Sequence, residues 1–239
     1  MKKALTLLLI TIFASTLFSQ TVLMEEDVAG DTIPETFGPN LKQYRHLYFE
    51  YGFLIDQPEE DGLEIKYGNS SNLVFGMRYK YKMTKWFAIG WDVHLSSWVY
   101  RIKQDTSKIF PNNIQHDKEK LTISNAGLEF YTRFNFGRRG NQIGKFVDLA
   151  GFGNFRTGAT HFTLDKLDAV NINNADKVKT SNTGLIYLED INYGAKVRLG
   201  INRYVLTATY RISDIIKDPP FNTYPELPRL FVGFQIGLH

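Results

Sequence analysis

Asp92, His94 and Ser96 carry the most chemically suggestive spacing in the chain. A serine becomes a nucleophile when a base takes its proton, and that base works best when a carboxylate orients it. Alternate residues of a strand share a face, so the acid, the base and the hydroxyl would line one side of it. The same geometry sets neighbours on that face about 6.5–7 Å apart, too far for direct hydrogen bonds without help from rotamers or water. Polar residues filling an interior would show this pattern as well.

Other reactive side chains are scattered. His46, His116, His161 and His239 fall in a tail, a loop, a strand end and the terminus, with no His-x₃-His or His-Glu-x₂-His spacing, so no metal site is expected. Gly151-Phe-Gly153 and Gly137-Arg-Arg-Gly140 precede no helix and read as bends or turns rather than phosphate cradles. No cofactor is expected. The absence of cysteine excludes a disulfide scaffold, thiolate metal sites and a cysteine nucleophile.

The elements that must position these residues are strands. From residue 46 onward the side-chain period is 2. Leu47, Phe49, Tyr51, Phe53 and Ile55 share one face, opposite Tyr48, Glu50 and Gly52. The pattern recurs over about 73–82, 87–96, 126–136, 147–156, 191–199, 204–213 and 230–239. That makes eight strands. Near Ser96-Ser97 the apolar face shifts to Trp98, Tyr100 and Ile102, which predicts a β-bulge there. The connections alternate in length. Residues 83–85, 137–144 and 202–203 make short turns, whereas 56–71, 104–119, 164–183 and 214–227 make long polar loops.

The start of the chain reads as an address. Lys2-Lys3, an uncharged run from Ala4 to Phe18 and then Ser19-Gln20 form the three parts of a secretory signal peptide, 1–20. The run is shorter than the roughly 20 residues of a spanning helix. Its removal takes the formal charge from +3 to +1, a mixed balance that gives nucleic-acid binding little support. Residues 21–45, with Gly30, Pro34, Gly38 and Pro39, read as an irregular periplasmic tail; a segment that tucks into the mouth of the domain or meets a partner is the alternative. Residues 46–239 form the folded domain.

The fold class expected is all-β: an eight-stranded antiparallel up-and-down transmembrane β-barrel. Aromatic residues are 14% of the chain. They gather near strand ends as girdles at two lipid–water boundaries would, with Tyr79, Tyr81, Trp86, Phe134, Phe136 and Tyr204 on the short-turn side and Tyr100 and Tyr187 on the other. A soluble lipocalin-like barrel is the alternative, with its apolar face turned inward. The polar faces argue for the membrane form. They collect the bases Arg78, Lys80, Lys82, Arg133, Arg156, Lys196, Arg198 and Arg211 and the acids Glu50, Asp92, Glu129 and Asp148. In an eight-stranded barrel the interior is just wide enough for side chains, so these groups predict an ion-paired plug. A cation-lined anion path is the other reading.

The Ser-Gln end of the signal, the eight alternating strands, the turn Asn135-Phe-Gly-Arg-Arg-Gly-Asn141 and the closing strand Leu230-Phe-Val-Gly-Phe-Gln-Ile-Gly-Leu238 together resemble the small outer-membrane β-barrels of Bacteroidota-type bacteria. The architecture is similar to OmpA- and OmpX-type barrels and to the PorT-like barrels tied to protein secretion. The chain departs from that pattern by ending on Leu238-His239 rather than on an aromatic residue. The resemblance covers about 46–239 and implies fold and location: the cell outer membrane, contact with its lipid and lipopolysaccharide, and a monomer. The function expected is non-enzymatic, either in envelope integrity or in contact with another envelope or secretion protein. One alternative is a lipid-modifying hydrolase using His94 and Ser96 with Asp92, since the His-x-Ser pair is loosely similar to that of outer-membrane lipid A deacylases. The other is a narrow anion pore or secretion accessory.

Overall fold

The computed structural model describes residues 36–56, 62–137, 140–166, 176–217 and 224–238. The expected signal peptide at 1–20, residues 21–35 of the expected tail, and His239 lie outside them. The chain forms nine antiparallel strands: β1 Gln43–Leu54, β2 Ser71–Lys82, β3 Phe87–Ile102, β4 Lys118–Phe136, β5 Lys145–Lys166, β6 Lys177–Thr183, β7 Ile191–Ile201, β8 Tyr204–Arg211 and β9 Leu230–Leu238. They join in one sheet ordered β4-β3-β2-β1-β9-β8-β7-β5-β6, and β4 also pairs with β5. The sheet therefore closes in a ring of eight strands. The closing contact runs from Leu47 opposite Leu238 to Leu54 opposite Phe231.

The ninth strand corrects the expected count. β5 extends ten residues past its expected end at 156, and β6 pairs with that extension, Thr160 opposite Thr183 through Lys166 opposite Lys177. All seven β6 residues are exposed, so Lys-Val-Lys-Thr-Ser-Asn-Thr has no buried face to create an apolar alternation. A segment read as loop is half of a hairpin standing beyond the ring.

The expected bulge at Ser96-Ser97 is also corrected. β3 pairs with β2 and with β4 through this point without a shift. Alternation is unbroken, and what changes is the chemistry of the two faces. Just below Ser96 the inward residues of β3 are the polar Asp92 and His94; above it they are Trp98, Tyr100 and Ile102, each at most 2% exposed. The irregularity lies instead between β4 and β5, where Ser124 faces Gly158 and Asn125 faces Arg156, leaving Thr157 as the extra residue.

Inside the ring the side chains stack by height. At the short-turn end Tyr44, Ile143, Phe146 and Val205 form a small apolar cluster. Charged residues fill the next level and amides the one above. At the long-loop end Leu54, Trp98, Tyr100, Leu121 and Phe231 from the strands pack with Leu63, Phe110, Tyr187, Leu188, Ile216 and Leu227 from the loops as one core. Tyr100 and Tyr187 belong to this core, which corrects their assignment to an outer girdle. At the short-turn end the aromatic residues do face outward, with Trp86 stacked on Phe134 at 6.2 Å and Tyr204 on Phe234 at 5.9 Å.

The tail also differs from expectation. β1 begins at Gln43, before the expected start at 46, and residues 36–42 lie across the short-turn mouth. Lys80 donates to Pro39 O, and Lys82 Nζ donates to Asn40 O at 2.7 Å. Asn40 Nδ2 donates to Gly140 O at 2.9 Å, tying the strap to the facing turn.

Candidate functional site

Strand alternation sends Glu50, Arg78, Asp92, Glu129, Arg133, Asp148, Lys196 and Arg198 into the lumen, each at most 4% exposed. Register then stacks them on neighbouring strands: Arg78 opposite Asp92, Asp92 opposite Glu129, Arg133 opposite Asp148, and Asp148 opposite Arg198. Arg133 grips Asp148 with both ends of its fork, at 2.7 and 2.8 Å. Arg78 Nε and Nη2 donate to Asp92 Oδ2 at 3.1 and 3.0 Å, and Nη2 also reaches Gln235 Oε1 at 3.2 Å. Arg198 donates to Asp148 Oδ2 at 3.0 Å and to Glu129. Lys196 bridges Glu50 at 3.2 Å and Glu129 at 3.7 Å across the lumen. Tyr131 lies under Arg198, and Tyr48 under Arg78, with guanidinium carbons 5.0 and 4.3 Å from the ring centroids.

Four acids thus meet four bases in a single network. Burying a charge is costly unless opposite charge and hydrogen bonds compensate it, and here the signs balance. Gly90 makes room for this packing. A Cβ there would lie 2.4 Å from the Tyr131 ring and 2.2 Å from the Tyr79 carbonyl oxygen, which accepts the Tyr131 hydroxyl at 3.0 Å.

The other four bases expected in the lumen, Lys80, Lys82, Arg156 and Arg211, make their contacts outside this network, Lys82 on Asn40 of the strap. Lys80 serves the strap. Arg156 sits at the bulge and binds the Leu188 and Glu189 carbonyls and Asp190. Arg211 is buried in the cap, where it donates to Leu227 O at 2.6 Å and pairs with Glu226 at 2.8 Å.

Above the charges lies a polar layer that sequence reading only touched. His94 Nδ1 lies 3.1 Å from Asp92 Oδ1, and Nε2 lies 2.9 Å from Asn154 Oδ1. Asn154 donates to Asn192 at 3.0 Å, Asn192 to Asn125 at 3.2 Å, and Asn125 to Ser96 Oγ at 3.4 Å. The structure therefore brings His94 to Asp92 but not to Ser96. The base has both nitrogens occupied, and the hydroxyl meets an amide. Gly127 allows the His94–Asn154 contact, because a Cβ would sit 2.0 Å from Asn154 Oδ1 and 2.6 Å from His94 Nε2. Gly127 and the three asparagines come from β4, β5 and β7, so their convergence depends on register, which no local motif encodes.

At the long-loop rim, Glu119 gathers a second cluster. It accepts from His161 Nε2 at 2.7 Å and Gln104 Nε2 at 2.7 Å, and it pairs with Lys108 at 2.5 Å. Burial alone would raise its carboxyl, but these three donors outweigh burial and hold it below the ordinary value of 4.5. His116 binds Asp165 at 2.9 Å nearby. Burial also raises the Tyr187 phenol, with the neighbouring Tyr224 and Glu119 adding to the shift. Among the described residues no group of three or more His, Asp or Glu side chains is placed to hold a metal ion.

No protein-family model matches the chain, and no curated protein matches it in sequence.

Proposed function

We propose that this protein is a non-enzymatic outer-membrane β-barrel with a solid lumen, acting through its capped long-loop end in envelope integrity or contact with another envelope protein. The observation that carries the reading is the inverted distribution of polarity. Arg78, Arg198, Asp92, Glu129 and Asp148 are wholly buried, whereas Leu95 and Phe130 are 62% and 67% exposed on the outer face. Soluble monomers rarely expose an apolar patch larger than a few hundred Å². Here the patch encircles the ring, with Leu47, Phe75, Leu149, Leu199, Leu206 and Phe234 each 40% exposed or more. On β3 the outward positions from Ile89 to Val99 span about 25 Å at the usual strand tilt, the height of the apolar band of an outer-membrane barrel. A lipocalin-like protein would place these apolar residues inside.

The filled lumen favours a structural role over conduction. From the short-turn end, the strap at residues 36–42, the charge network, the asparagine layer and the apolar cap succeed one another along the axis. The occupied His94 nitrogens favour a packing role for Asp92, His94 and Ser96 over hydrolysis. The resemblance to small barrels of Bacteroidota-type bacteria agrees with this reading, and a signal peptide at 1–20 would supply the export it needs.

Cell fractionation tests the proposal. The mature chain should sediment with the outer membrane and migrate faster on gels when unheated than when boiled. Recovery as a soluble periplasmic protein would overturn it.

A further inference from the structure

Just above the apolar belt the outer face carries cations that the lumen and the cap do not use. Ile65 bridges Ile102, and Lys66 N donates to Arg101 O at 2.8 Å, which sets Lys66 beside Arg101. The register of β3 and β4 then sets Arg101 directly opposite Lys120. Lys118 follows two residues along β4 on the same face and is exposed. Three cations thus stand side by side on adjacent segments, with a fourth at the corner.

Like charges directly opposite one another on antiparallel strands destabilise the pair, with Cβ atoms only about 4.5–5.5 Å apart. Among the described residues no carboxylate relieves this row. Arg101 Nε donates to the Asn69 carbonyl at 2.8 Å, and the Lys120 ammonium lies 5.1 Å from the Phe162 centroid. Glu64, on the same rim, is taken by Lys103. Glu119 points inward to His161 and Lys108.

The geometry points to a phosphate-bearing lipid headgroup of the outer leaflet, bound by Lys66, Arg101 and Lys120. This rests on the membrane reading proposed above. Two features choose the occupant. The row is cationic and forked at its centre, which suits a phosphate: the guanidinium can hold two oxygens while the ammonium groups add point charge. It also lies one outward position above Val99, at the edge of the belt, so a lipid whose chains cover Leu95 and Val99 carries its headgroup to this height.

The test uses the full chain, extracted in mild detergent with bisphosphorylated lipid A or with the same lipid dephosphorylated. Retained lipid is read by native mass spectrometry. The wild type should retain the phosphorylated form preferentially. Each of Lys66→Gln, Arg101→Gln and Lys120→Gln should reduce that preference about fivefold. Lys120→Arg should keep it, and so should Lys85→Gln at the opposite end. Added salt should weaken it. Equal retention of both lipids by the wild type, an unchanged preference in the triple Gln variant, or displacement of the lipid by an equal concentration of inorganic phosphate would overturn the assignment. The unboiled gel shift of each variant reports its folding. A chain that stays soluble without detergent would instead defeat the membrane reading, which separates the two failures.

Discussion

Arg198 is the residue on which the lumen turns. It donates to Asp148 and Glu129, lies 3.9 Å from Asp92 and covers Tyr131. Replacing one partner of a buried ion pair leaves its counterpart charged and unsatisfied, at a cost of about 3–5 kcal/mol. Arg198→Met should therefore lower the unfolding free energy of the gel-shifted form, read from its urea titration, by an amount of that order. Arg198→Lys should recover only part, since a single ammonium cannot reproduce a planar fork. A Met variant as stable as wild type would show that the network contributes nothing to stability. The layer above it yields a functional prediction. With His94 held by Asp92 and Asn154, and Ser96 by Asn125, His94→Ala and Ser96→Ala should leave lipid A acylation unchanged in cells. A change in acylation from either substitution would restore the hydrolase reading. Period-2 alternation revealed which charges share a face. It could not reveal who pairs with whom, because Glu50 on β1 meets Lys196 on β7 only once the ring has closed.

At the scale of elements, the sequence showed strands best where their faces differ in polarity. Phe49, Met77 and Phe130 against Glu50, Arg78 and Glu129 sort cleanly on this basis. Beyond Ser96 both the inner and the outer surroundings become mixed. A straight strand then imitates a bulged one, and β6, exposed on both faces, gives no periodic signal. The long-loop rim is held differently, by Glu119 at the foot of β4. Lys108 reaches both Glu119 and the Ile114 carbonyl, the latter at 2.5 Å, so this one carboxylate fastens residues 103–117 to the ring. Because its folded value is depressed, it contributes stability that is fully present above about 4.5 and is lost as pH falls from there through the folded value. Limited proteolysis of residues 103–117 should accelerate over that window. Glu119→Gln should show raised cleavage at neutral pH with no further acid dependence from this site. Identical acid profiles for wild type and variant would remove Glu119 as the fastening.

At the scale of the whole molecule, the two ends of the ring are unequal, and on the membrane reading proposed above that inequality would set its orientation. One end carries the short connections 83–86, 137–144 and 202–203 together with the strap. The other carries the apolar core built by the long loops and the β5–β6 hairpin. Barrel assembly leaves long loops at the cell surface and tight turns in the periplasm. The chain has no cysteine, so each introduced thiol is a unique reporter. Ile186, in the cap and 73% exposed, and Lys85, exposed in the first short turn, mark the two ends. Ile186→Cys should react with a membrane-impermeant thiol reagent on whole cells, whereas Lys85→Cys should react only after the outer membrane is breached. On the membrane reading proposed above, this orientation would bring Lys66, Arg101 and Lys120 to the outer leaflet, where phosphorylated headgroups would meet them. An inverted labelling pattern would move that row to the periplasmic side and the strap at 36–42 to the cell surface, and would turn the capped end, rather than the strap, toward any periplasmic partner.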